Sequence, residues 1–296
     1  MGHKSRLFRA VDVLLIVMMI LPIAAAITLK VLTTPPGEGI TITGARILLT
    51  IPMPVQDLLI TESQVNSWLV MISIFALFLF MTHGLKVKAD TKRQLAVEWI
   101  VQKVEGLVRE NMGDYFHGFA PFIAAILALS AFSSLLSLFG LYPPTSDLNV
   151  TAGWAILVFL IITYYKCKCG PVYYLKGFLE PVAFLAPINF ISEFATPVSM
   201  AFRHYGNVLS GTVVSTLIAA ALAGLTRIVL GWLPGFLGDI PFLRLGLPAI
   251  LSIYFDIFSG CLQAFIFAML SMMFISGAFP MEDYFARQAK KKAKQK

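Results

Sequence analysis

Apolar positions in this chain come in long unbroken runs, not in alternation. Four runs of crossing length fall at about 10–32, 66–85, 118–140 and 150–166, and two longer ones at about 182–232 and 245–279. A hydrocarbon layer about 30 Å thick is spanned by about 20 apolar residues in helical form. Without a two-residue period the runs cannot line a transmembrane barrel, so each crossing satisfies its own backbone as a helix. The stretch 92–112 differs. It interleaves Lys92, Arg93, Glu98, Lys103, Glu105, Arg109 and Glu110 with Leu95, Val97, Trp99, Ile100, Val104 and Val108. That pattern predicts an amphipathic helix lying on the membrane surface. The fold expected is an all-α polytopic membrane protein: four ordinary transmembrane helices, one amphipathic surface helix and a long tilted membrane helical hairpin.

The 182–232 run poses a choice. As one helix from Ala186 to Leu230 it would be about 65 Å long at 1.5 Å per residue, twice the hydrocarbon thickness. Splitting it at RHYGN gives seven crossings; leaving it whole gives six. Basic residues mark the cytoplasmic side. Lys4, Arg6 and Arg9 put the N-terminus inside, and residues 33–65, with Arg46 as the only base, fall outside. Lys86, Lys88, Lys92 and Arg93 return inside, YPPTSDLN lies outside, and Lys166, Lys168 and Lys176 are inside again. Only six crossings keep the tail KKKAKQK (290–296) inside as well. One strongly tilted element, partly shielded by protein, is therefore expected. It folds back on the 245–279 run across a turn carrying Gly231, Pro234, Gly235, Gly238 and Pro241. Both termini are expected in the cytoplasm, with the chain in the plasma or inner membrane of the cell.

Composition agrees. The chain has 296 residues, 58% of them hydrophobic and only 13% charged, where a soluble domain carries about 25%. The net charge of +7 reads as cytoplasmic loop charge and a basic tail, not as a nucleic-acid surface. Cys167 and Cys169 form a CKC in a basic loop and Cys261 lies in an apolar run, so no disulfide framework or zinc spacing is present. The first run follows three basic residues and could be a leader cleaved near the AAA at 24–26. At about 20 residues it is long enough to span, and a retained helix is expected.

Polar residues on the last two runs recur at helical spacing. Asn189, Glu193, Thr196, Ser199, Arg203, Asn207 and Ser210 share one face of the first, and Ser252, Asp256, Ser259 and Gln263 share one face of the second. Two such stripes can share hydrogen bonds as helix-helix glue, or line aqueous paths. Arg203 stands out. A guanidinium is always charged, and at bilayer depth it costs at least about 2.5–3.5 kcal/mol. It is either paired internally, with Glu193 or Asp256, or held for a partner.

EFATPVSMAFRHYGNVLSG (193–211), CLQAFIFAML (261–270) and TSDLNVTAG (145–153) together resemble the signatures of subunit a of the F-type ATP synthase membrane sector, with all elements in order over about 66–280. The resemblance implies a stator set against a rotating ring of c subunits, with b-type peripheral stalk subunits, the other ATP synthase subunits and membrane lipid as further partners. The family's essential arginine corresponds to Arg203, and its hairpin asparagine and glutamine to Asn207 and Gln263. Two offset half-channels are implied. Glu193, Ser192 and Ser199 line the cytoplasmic one, and Asp256, with Ser252, Tyr254 or water, lines the exterior one. Carboxylic acids of the ring are loaded and unloaded there with protons or sodium ions, and Arg203 keeps the two paths apart. Three positions depart from the pattern: Thr212 and Asp256 where many members carry other acids or histidine, and Gly140 where some carry Asp. The chain divides into an extra N-terminal crossing and exterior loop (1–65) and a core (66–296), with the hairpin at about 182–280 and a basic tail at 286–296. No GxxxxGK[ST] string occurs, so nucleotide chemistry belongs to partners, and no cofactor is implied.

Two other classes compete. A secondary transporter favours internal repeats and helices broken at mid-membrane, and no repeat is visible between the halves. A membrane enzyme needs a nucleophile-base pair, but the histidines are scattered. His83 and His117 are expected to be solvated near membrane edges, and His204 to pack about 100° away from Arg203.

Overall fold

The computed structural model describes residues 6–33, 44–54, 56–87, 91–179, 182–230, 246 and 250–294. Lys4, Lys88, the expected turn at Gly231, Pro234, Gly235, Gly238 and Pro241, and the last two residues of the basic tail lie outside the described residues.

Helix α1 (Arg6–Thr33) packs along α2 (Glu62–Thr82). Between them a small antiparallel hairpin joins β1 (Ile47–Ile51) to β2 (Leu58–Thr61), which the apolar-run pattern does not predict. Helix α3 (Lys92–Met112) has the bounds expected of the amphipathic segment. Thr91 caps its start by accepting from the Gln94 N–H, and Gly113, at φ +81°, ends it. Helix α4 (Ala120–Leu135) is extended at both ends by 3₁₀ turns, Asp114–Phe119 and Leu136–Phe139. Asp147 caps α5 (Leu148–Lys166), and Pro171 opens the short α6 (Pro171–Gly177).

The long run stays whole. Helix α7 spans Ala186–Leu230 without a break, and Pro197 is accommodated within it. The last run enters as a π-helical segment, Ile253–Ser259, that continues as α8 (Gly260–Gly277). The Gly260 N–H reaches back five residues to the Phe255 carbonyl, the widened turn that defines this geometry. The tail is not a bare basic string: Met281–Lys294 forms helix α9, with Glu282 and Asp283 in its first turn where the helix dipole favours acids.

Among the described residues six helices are long and apolar enough to cross a membrane, the fifth and sixth being the two long ones. The main core lies between α4, α5 and α8, where Ile123, Val158, Phe267, Met272 and Ile275 are almost fully buried, and Met200 and Ala201 dock α7 onto it. A smaller cluster of Val70, Ile74, Leu136 and Leu141 takes up Ile23 and Ile27 of α1. Large apolar residues cover the remaining helix surfaces, including Phe190, Ile191, Phe194, Val198 and Phe202 along α7. An outward apolar surface is what lipid or a neighbouring membrane subunit requires.

Candidate functional site

The two polar stripes meet. Asn207 Nδ2 donates to Ser259 Oγ at 2.8 Å, and Ser259 Oγ lies 3.1 Å from Asn207 Oδ1. Four residues further along α7, Gly211 abuts Phe255, four residues back. The long helices are therefore antiparallel, and that register sets Gln263 level with Arg203 and Asp256 level with Ser210.

Arg203 is exposed on the outward face of α7 and makes no hydrogen bond or ion pair with any described residue. Of the two internal carboxylates that could have neutralised it, neither does. Glu193 lies ten residues before it, about 15 Å along the helix axis, and Asp256 falls about 10 Å beyond it in the opposite direction. Each is engaged elsewhere. Glu193 Oε2 accepts from Lys166 Nζ at 2.5 Å and Oε1 from the Tyr174 hydroxyl at 3.3 Å. The hydroxyls of Ser137 and Ser252 face the Asp256 carboxyl.

The Glu193 group opens into a cleft of about 480 Å³ lined by Lys166, Tyr174, Asn189, Ser192, Glu193 and Thr196. A second space of about 220 Å³ shares Lys166, Glu193 and Thr196 and reaches Phe159 and Met273. Burial first, then the Glu193 charge, pushes the Tyr174 phenol up to about 12, so it stays a neutral donor. Ser192 lines the cleft; Ser199 does not, and sits exposed one turn before Arg203. Gln263 is buried and makes no hydrogen bond to a described residue.

Several residues were not singled out by spacing. Lys166 and Tyr174 around Glu193, and Ser137 against Asp256, come from other helices, and no periodicity within one run could have brought them in. Tyr254 is exposed and stacks near Phe258. His204 is fully buried, as the packing alternative requires. Its Nε2 lies 3.2 Å from Ser130 Oγ and its ring meets the edges of Trp154 and Phe267. His83 differs from expectation: it is not simply solvated but stacks on Phe8 at 4.2 Å and bonds Asp12 at 2.9 Å. Among the described residues no group of three metal-ligating side chains occurs, and all three cysteines are free.

Fold and site together define a polytopic helical membrane protein whose ionisable groups are strung along a pair of long helices. Residues 64–276 match the family described as ATP synthase A chain. The chain is 30% identical over 226 residues to ATP synthase subunit a of Legionella pneumophila (strain Paris), covering 76% of this chain and 89% of the relative. It is 32% identical over 219 residues to ATP synthase subunit a of Trichlorobacter lovleyi, covering 72% and 85%. It is 27% identical over 242 residues to the protein of Propionigenium modestum named ATP synthase subunit a, sodium ion specific, covering 76% of each. The chain belongs to the ATP synthase A chain family. Within the enzyme's membrane sector it has the stator channel role, with other ATP synthase subunits as partners.

Proposed function

We propose that this chain conducts protons to and from a ring of c subunits through two offset half-channels kept apart by Arg203. One observation carries the reading: the exposed arginine on α7 has no partner among the described residues, while the carboxylates on either side of it are engaged by other groups. An unpaired guanidinium facing lipid is expensive, so the counter-charge has to arrive from outside the chain. A ring carboxylate, neutral while it travels through lipid and ionised beside Arg203, supplies it.

In this reading the cleft around Glu193 and Ser192, followed by Ser199, is the cytoplasmic path, because Lys166, Lys168 and Lys176 mark that side. Asp256, with Ser252 and Ser137, serves the exterior path. Asn207, through Ser259, holds the two helices in register beside Arg203, with Gln263 buried level with the arginine. In synthesis a ring acid takes up a proton near Asp256, is carried round through lipid, and releases it into the Glu193 cleft; its carboxylate then passes Arg203 back to the exterior path. The fixed cation of Arg203 also repels a proton that would hop directly between the paths. One charge crossing 100 mV yields about 2.3 kcal/mol, so several crossings accompany each ATP. The b-type peripheral stalk holds the chain against the ring's torque. Both termini lie in the cytoplasm, and the membrane is the plasma or inner membrane of the cell.

The test is ATP-driven proton pumping in vesicles. Arg203→Ala is expected to abolish pumping while ATPase activity of the detached soluble sector survives; retained pumping overturns the proposal. Sodium is the second candidate ion, favoured by the name of the Propionigenium relative. Uptake measured with and without sodium decides between the two.

A further inference from the structure

Helix α1 precedes the part of the chain that matches the family, which begins at residue 64. It is nevertheless fastened at both ends. At one end Asp12 Oδ1 lies 2.9 Å from His83 Nδ1 and 3.2 Å from Arg93 Nη1, and Arg93 also donates to the His83 carbonyl. At the other end Lys30 Nζ donates to the Gly140 carbonyl at 2.5 Å and stands 3.5 Å from Glu62 Oε1. Asp12 and Lys30 are eighteen residues apart, about 27 Å of helix, close to the thickness of the hydrocarbon layer. Charged groups at that spacing fall at the two edges of the layer, where they are tolerated.

The second fastening lands on the turn that serves Asp256. Gly140 has φ +69°, a left-handed conformation that favours glycine, so this position offers no side chain with which to hold the turn. Its N–H donates to the Ser137 carbonyl at 2.9 Å, and the Leu141 N–H to the Leu136 carbonyl at 3.2 Å. Ser137 Oγ donates to the Ser134 carbonyl at 2.7 Å, and the same hydroxyl faces Asp256. One short turn thus carries the acceptor for Lys30 at one end and the neighbour of Asp256 at the other.

We propose that Lys30 is a positioning residue of the exterior path: α1 braces the Gly140 turn and thereby holds Ser137 against Asp256. The inference rests on reading Asp256 as a group of that path. Among the described residues Glu62 faces Lys30, with Arg46, Tyr142, Asp147 and Tyr205 also at this end, and the neighbours of Asp256, Ser137 and Ser252, carry no charge. Losing the brace lets Ser137 move away from the carboxyl and changes the pH at which Asp256 exchanges its proton, while the Glu193 side is untouched.

The experiment uses the whole ATP synthase reconstituted in vesicles. ATP synthesis is measured against the pH on the exterior face, then separately against the pH on the cytoplasmic face, each normalised to assembled complex. Lys30→Met is expected to move the exterior-face midpoint by about half a pH unit and leave the cytoplasmic-face profile in place, with Lys30→Arg restoring it. Ser137→Ala is expected to move the same midpoint, and it decides the question if Lys30→Met does not assemble. An unchanged exterior profile in Lys30→Met or in Ser137→Ala overturns the inference. Asp256→Asn separates the two levels. If it leaves the exterior profile unchanged, the reading of Asp256 itself fails; if it moves the profile and Lys30→Met does not, only the brace fails.

Discussion

One hydroxyl, that of Ser259, answers both ends of the Asn207 amide: it accepts from Nδ2 at 2.8 Å and donates to Oδ1 at 3.1 Å. The pair pins α7 to the last helix one turn from Arg203, and so fixes the rotation that turns the guanidinium outward. Side-chain hydrogen bonds between membrane helices are worth about 0.6 kcal/mol on average and up to about 1.7. A double-mutant cycle of Asn207→Leu and Ser259→Ala, read from thermal dissociation of the purified complex, should return a coupling energy in that range. A coupling near zero means that the pair does not hold the register.

Gly260 begins α8 against Ser134 of α4. A Cβ placed there would stand 2.8 Å from the Ser134 Cβ and 3.4 Å from its hydroxyl. Close helix approach of this kind depends on small residues. Gly260→Ala should therefore overpack the crossing and destabilise by about 1–3 kcal/mol. Adding Ser134→Gly removes the opposing Cβ and should recover part of the loss, measured as melting temperature and as the amount of complex assembled in the membrane. No recovery would show that the strain lies elsewhere.

Much of the fold was legible because lipid leaves few options: an apolar run long enough to cross must be a helix. The bounds of α3 follow from where charges begin to interleave with Leu95, Trp99 and Val104. The unbroken α7 follows from a charge argument, not from local propensity, since Gly206 and Pro197 taken alone would have argued for a break. The β1–β2 hairpin was not legible, because Ile47–Ile51 and Leu58–Thr61 are too short to be told from loop by periodicity. At the site, each stripe could be read from helical spacing, but not what faces it. Lys166 is separated from Glu193 by a loop, a short helix and a bend, and Ser137 reaches Asp256 from the far end of α4. The π turn around Asp256 was also invisible, because no residue in Ile253–Ser259 demands it.

The ion pair of Glu193 and Lys166 carries its own prediction. Its side chains are 11% and 30% exposed, so screening by water is partial. Glu193→Gln leaves a lone ammonium at the cleft, which repels an emerging proton, and Lys166→Gln leaves a lone carboxylate that holds one. Each single variant should slow passive proton flow through the membrane sector, and the double variant should be faster than the Glu193→Gln single. A difference of about 1.4 kcal/mol in barrier corresponds to tenfold in rate. Flow is measured in vesicles stripped of the soluble sector. If the double variant is as slow as Glu193→Gln alone, the lone cation is not what obstructs the cleft.

Tyr174 supplies a prediction with a definite pH window. Its phenol ordinarily titrates near 10.0 and is held up to about 12 in the folded chain, first by burial and then by the neighbouring Glu193 charge. The folded state thus keeps this proton more tightly than the unfolded chain. The stabilisation is fully present below pH 10 and is lost as pH rises through about 12. Tyr174→Phe has no proton to lose, so the fall in thermal stability of the complex between pH 10 and pH 12 should be shallower in that variant than in the parent. Between pH 6 and pH 9 the phenol is neutral throughout, and the variant's transport rate should drop through the lost hydrogen bond to Glu193. A fall between pH 10 and pH 12 as steep in Tyr174→Phe as in the parent would mean that Tyr174 is not held up to about 12, and the account of its surroundings would be wrong.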